Sequence, residues 1–89
     1  MNVISLNKGE EVVINDASIT EFWLTSIVKE DDSTIVKDKP THPSEFSIKE
    51  PLRCNYNYDG MTPTIIFDVN SRKLKATGYG YKTLTFVFN

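Results

Sequence analysis

At 89 residues the chain is sized for one domain, and a domain this small buries only roughly 60–65% of its unfolded surface, so its 39% of apolar residues must fill a single core. A net charge of −2 with both signs spread along the chain argues against the basic stripe that neutralises nucleic-acid phosphates; the densest basic group, Arg72, Lys73, Lys75 and Lys82, reads as a solvated strand face. A single cysteine excludes an internal disulfide, the first residues lack the pattern of a signal peptide, and no run approaches the ~20 apolar residues needed to span a bilayer.

Taken in order, the segments predict strands. Val3–Leu6 is the first, stopped by Asn7-Lys8-Gly9, and Glu11–Asn15, with Val12, Val13 and Ile14 in a row, is the second. Ser18–Glu30 carries two signals. Ser18 and Glu21 have capping-box spacing, and Ile19, Phe22, Trp23 and Ile27 would share one face of a short helix near 18–29. Yet Thr20, Phe22, Leu24, Ser26 and Val28 alternate with Glu21, Trp23, Thr25 and Ile27, as a strand requires. The near copies Thr25-Ser26-Ile27-Val28-Lys29 and Ser33-Thr34-Ile35-Val36-Lys37 flank Glu30-Asp31-Asp32 as a hairpin would, which favours the strand.

Pro40 and Pro43 make Asp38–Ser44 a loop, and Phe46–Ile48 a short strand before Pro51. Leu52, Cys54, Tyr56 and Tyr58 alternate with Arg53, Asn55 and Asn57 in the manner of a half-buried strand, after which a turn runs from Asp59-Gly60 through Pro63. Ile65, Phe67 and Val69 are the inward face of the next strand; Leu74, Ala76 and Gly78 continue it beyond a turn at Asn70-Ser71. Tyr79-Gly80-Tyr81 leads to the last strand, Thr83–Asn89, where Leu84, Phe86 and Phe88 fall on one side and Thr83, Thr85 and Val87 on the other. Seven to nine short strands without separating helices predict a mainly β fold: one antiparallel β-sandwich over residues 1–89, immunoglobulin-like or jelly-roll-like.

Lys75-Ala76-Thr77-Gly78-Tyr79, followed by Lys82-Thr83-Leu84-Thr85-Phe86, is similar to the closing strands of many bacterial immunoglobulin-like modules. The resemblance implies a sandwich with an adhesive or structural role; it is confined to these two runs and carries over no site residue.

Motifs for catalysis are missing. His42, the only histidine, sits between two prolines, and Cys54 shares the buried parity of Leu52 and Tyr56, so a Cys–His pair is not expected. One His and one Cys cannot build a zinc site alone, and Glu30-Asp31-Asp32 lacks the spacing of a calcium loop, so neither metal nor cofactor is expected. Gly78-Tyr79-Gly80 has no helix behind it to hold a phosphate. What remains is an unusual number of aromatic residues. Tyr79 and Tyr81 alternate away from Leu74, Ala76 and Gly78 and should point outward, and Trp23 joins them as a candidate anchor.

These features predict a non-enzymatic module that binds another protein by surface complementarity, as small phage structural components, inhibitors of host defence and immunity-type proteins do. Trp23, Tyr79 and Tyr81 would anchor it, and Asp31 and Asp32 would steer a basic partner. The alternative is a carbohydrate-binding sandwich using Tyr56, Asn57 and Tyr58, whose neighbours Asn55 and Asp59 could hydrogen-bond sugar hydroxyls. Nucleic acid and membrane are not expected partners. Location is expected to be cytoplasmic or virion-associated, and Thr83–Asn89 is a candidate edge for homo-oligomeric strand pairing.

Overall fold

The fold is known from a computed structural model, which describes residues 2–36, 45–47, 49–55 and 60–88. Its strands are β1 (Asn2–Asn7), β2 (Glu11–Val13), β3 (Glu21–Lys29), β4 (Thr34–Val36), β5 (Glu45–Ser47), β6 (Leu52–Asn55), β7 (Thr62–Asp68), β8 (Lys73–Tyr79) and β9 (Tyr81–Phe88). All pairings are antiparallel. One sheet runs β1-β9-β3-β4 with β5 also on β3, and the other runs β2-β8-β7-β6. Because β9 occupies one side of β3 from Phe22 to Lys29, β4 and β5 must follow each other along its opposite edge, at Ser26–Val28 and Glu21–Trp23. A single core of buried residues joins the two sheets, and the radius of gyration, 12.1 Å, is that of a compact domain of this length. The expected sandwich is therefore present. Its first strand pairs with its last and its second with its second-last, an order unlike the ABED/CFG order of immunoglobulin domains, so the likeness to those lies in the layers and not in the connectivity.

The ambiguous segment is a strand, and no helix occurs among the described residues. Phe22 and Leu24 face the core opposite Phe88 and Phe86, but a β-bulge at Thr25-Ser26 shifts the register so that Ile27, not Val28, faces in opposite Leu84. Before it, Ser18 does not cap a helix. Its N–H and hydroxyl both donate to Asp16 Oδ1, at 2.9 and 2.7 Å, and hold that carboxyl below the usual carboxylate range, with Arg72 adding to the effect. Arg72 also ties this connection down, its Nε donating to the Ile14 carbonyl (2.7 Å) and its Nη2 to that of Asp16 (3.0 Å). The residue expected to belong to a solvated basic face is a clamp between two turns.

Pro63 was expected in a turn but is the second residue of β7, buried opposite Gly78. Among the described residues, pairing with β6 runs from Thr64 to Phe67. Gly78 makes this approach possible: at φ +101° a Cβ there would lie 2.1 Å from the Thr62 carbonyl oxygen.

Two expectations about the last strand need correction. Thr83–Asn89 is not an edge, since β9 lies between β1 and β3. Tyr81 does not point outward. The chain changes sheets at Gly80 (φ +87°), which breaks the alternation that linked Tyr79 to Tyr81, and Tyr81 is buried while Tyr79 is 77% exposed. The Tyr81 hydroxyl donates to the Thr77 carbonyl (2.7 Å), and burial pushes its pKa from 10.0 to about 12.

Two measurements check this account. Gly78→Ala should lower the urea-unfolding free energy by about 3 kcal/mol or more, against about 1–2 kcal/mol for Gly9→Ala, where φ is also positive but space is open; equal losses would show that the β7–β8 approach is not tight. The folded state holds the Tyr81 proton more firmly than the unfolded chain, so its contribution is complete below about pH 10 and is lost as pH rises towards 12. Wild type should lose stability over that window relative to Tyr81→Phe, and parallel curves would refute the buried phenol.

Candidate binding face

The core fixes what the outer surfaces carry. With Phe22, Leu24, Ile27, Leu84, Phe86 and Phe88 turned in, the reverse side of β1, β9 and β3 presents three cross-strand rows. Val3, Val87 and Trp23 form the first, Ser5, Thr85 and the bulge residues Thr25 and Ser26 the second, and Asn7, Thr83 and Val28 the third. None of these side chains is charged; charge stands at their margin, where Glu21 precedes Trp23 on the outward side of β3 and Glu45 of β5 is the cross-strand partner of Trp23. The hydroxyl rows are knitted along the surface. Ser5 Oγ and Thr85 Oγ1 share a hydrogen bond of 2.9 Å, Thr83 Oγ1 donates to Asn7 Oδ1 at 2.8 Å, and Thr25 Oγ1 donates to the Thr85 carbonyl at 3.1 Å. Val3 is 59% exposed, and Val87 and Trp23 are half-buried. The Trp23 Nε1–H is covered and has no hydrogen-bond partner among the described residues, so Trp23 offers ring carbon at the surface, not a donor.

The outer face of the other sheet is of a different kind. Glu11, Lys75, Ile66 and Arg53 form one row and Val13, Lys73 and Asp68 another, with Lys73 Nζ 3.4 Å from Glu11 Oε1. This is a solvated face of mixed charge, as the sequence led us to expect for Lys73 and Lys75. Tyr79 lies on this side, at the end of β8 opposite Thr62. Beside it run Thr77, Thr64 and Asn55, with Thr64 Oγ1 donating to Asn55 Oδ1 at 2.8 Å.

The residues singled out from sequence are thus not gathered. Trp23 and Tyr79 stand on opposite outer faces, and Tyr81 is in the core. Asp31 and Asp32 occupy the β3–β4 turn, about 20 Å along β3 from Trp23. That turn consumes much of their chemistry. Asp31 Oδ1 accepts from the Ser33 N–H and hydroxyl, at 3.0 and 2.5 Å, which lowers its pKa, and Asp32, at φ +69°, pairs with Lys82 Nζ. Beside the turn, Asn7, Lys8, Glu30, Tyr81, Lys82 and Thr83 line a shallow open groove carrying both signs of charge. Tyr56, Asn57 and Tyr58 lie outside the described residues, as does His42. Cys54 is half-buried on the inward side opposite Ile65.

Residues not singled out, Val3, Ser5, Thr83, Thr85 and Val87, build most of the charge-free face. The signal for it was the outward parity of the last strand, Thr-Thr-Val without a charge. Among the described residues, no helix is long and apolar enough to cross a membrane. The chain matches no protein-family model, no curated protein and no solved structure.

Proposed function

We propose that this protein is a non-enzymatic binding module that engages another protein through the outer face of β1, β9 and β3. The observation that carries the reading is the absence of charge from three adjacent rows of that face, in a chain of which 25% is charged and whose other outer face mixes both signs. Interface centres are depleted in charge and enriched in Trp, and a flat sheet face with short hydroxyl side chains can be desolvated at little cost. Trp23 and Val87 act as the apolar anchors, and the Ser5–Thr85 row beside them supplies hydrogen bonds to a partner. Function of this type, by occlusion or assembly, suits a virion component, an inhibitor of a defence protein or an immunity-type protein.

A partner captured by the tagged protein from lysate of its native host provides the assay. Val87→Lys, a charge in the middle of the face, should weaken that complex by at least about tenfold, roughly 1.4 kcal/mol, while Lys75→Glu on the opposite face should change it by less than about twofold. The reverse pattern would move the interface to the charged sheet.

A second reading is favoured by Tyr79, whose exposed ring stands beside the Thr77–Thr64–Asn55 row. A ring next to hydroxyl and amide groups suits the apolar face and hydroxyls of a sugar. On this reading a glycan array gives a signal that Tyr79→Ala abolishes, and a blank array with folded protein removes it.

A further inference from the structure

Among the described residues the two sheets end in four edges, and three of them carry features that oppose pairing. Strand β2 is three residues long, with Glu11 paired to Lys73; β6 is four residues long, follows Pro51 and carries Arg53. The third edge is divided between β4 and β5, three residues each. Short strands, charges and proline are the devices that keep sheet edges from joining. Strand β1 has none of them. It is six residues, Asn-Val-Ile-Ser-Leu-Asn, without charge or proline, in unbroken register with β9 from Asn2↔Phe88 to Asn7↔Thr83. Among the described residues no strand pairs with its other side.

The same rim of the sandwich is apolar. The turn after β1, with the Gly9 N–H donating to the Ala76 carbonyl (2.8 Å), brings the chain directly onto β2 beside β8, so β1 and β2 border one side of the molecule. Val3 and Val13, on these two strands, are 59% and 43% exposed, two of the three exposed large apolar residues among those described. Between them Ile4 and Val12 are only partly covered by the core.

We infer that β1 pairs antiparallel with β1 of a second copy of this chain, joining two sandwiches through one continuous sheet. A second copy suits this edge better than an arbitrary peptide for two reasons. It brings an identical uncharged strand, so no like charges meet, and it brings its own Val3, Ile4, Val12 and Val13 to the rim that needs covering. Two-fold symmetry makes the pairing antiparallel, and keeping core-facing side chains in one layer restricts the register. Only pairings centred on Ile4 or Ser5 overlap well. The first sets Val3 opposite the partner's Ser5; the second sets Ser5 opposite itself and Ile4 opposite the partner's Leu6.

Sedimentation velocity over a wide concentration range tests this directly. Wild type should form a concentration-dependent dimer. Val3→Lys/Ser5→Lys changes two exposed positions, so the fold, followed by circular dichroism, should survive; in either register the lysines oppose one another, and the dimer constant should weaken by at least about tenfold. Val3→Glu/Ser5→Glu should do the same, and mixing the two variants should restore a heterodimer. A wild type that stays monomeric, a dimer indifferent to both double variants, or a mixture that fails to associate would each overturn the pairing. A monomer that still binds a protein partner in a Val87-dependent way would overturn the pairing alone and leave the proposed function standing.

Discussion

Phe22 belongs to β3, yet its ring meets Phe67 of the opposite sheet as well as Phe86 and Phe88 of neighbouring β9, with centroids 6.0, 5.8 and 6.0 Å apart. All four rings are fully buried, and burial of one such side chain contributes about 1.5–3 kcal/mol, so this cluster binds layer to layer more strongly than any polar contact on the surface. It also dictates the outside. If Phe22, Phe86 and Phe88 face in, then Trp23, Thr85 and Val87 must face out, since successive side chains alternate. A one-residue slip of β3 or β9 would bury the Thr row and expose phenylalanine, so the core specifies the charge-free face as its own reverse side.

The chain meets a second constraint each time it leaves one sheet for the other. Between β8 and β9 only Gly80 intervenes, at φ +87°, and Gly78 just before it lets β7 and β8 approach within a distance that any side chain would violate. Between β2 and β3 the crossing is longer and is held by Arg72 on two backbone carbonyls, with Asp16 closing the turn onto Ser18. Across the sandwich β1 meets β8, and within its own sheet β1 is at the rim and β9 in the middle.

How much of this was legible depends on whether a signal is local. The period of two in Thr83–Asn89 and in β7 and β8 is unbroken, and their inward faces were read correctly from spacing alone. Ser18–Glu30 gave two signals for a physical reason: the bulge at Thr25-Ser26 places the inward residues at 22, 24 and 27, so three of the four residues of the apparent helical stripe, Ile19, Phe22 and Ile27, are buried, while the fourth, Trp23, faces outward. Tyr81 misled because parity was carried across Gly80, where the strand is interrupted by the change of sheet. The edges could not be read at all, because which strand lies beside which is decided by pairings as distant in sequence as Asn2 and Phe88. For the same reason the candidate face stayed hidden. Its rows draw on three strands from both ends of the chain, and apart from Trp23 and Asn7 they are built of unremarkable Val, Ser and Thr.

Strand β1 belongs to both proposed surfaces at once. Its side chains Val3, Ser5 and Asn7 are the end members of the charge-free rows, while its backbone forms the unguarded edge. Pairing two copies through that edge would carry the rows across the two-fold axis, Trp23–Val87–Val3 running on into the partner's rows, and would nearly double the width of uncharged sheet. A partner that is itself repetitive would then meet two copies of the face held in fixed relation, and the second contact would form at high effective concentration without any new interaction. The edge and the face would in this way act together: the pairing sets the spacing at which two weak, flat and charge-free surfaces become one strong one.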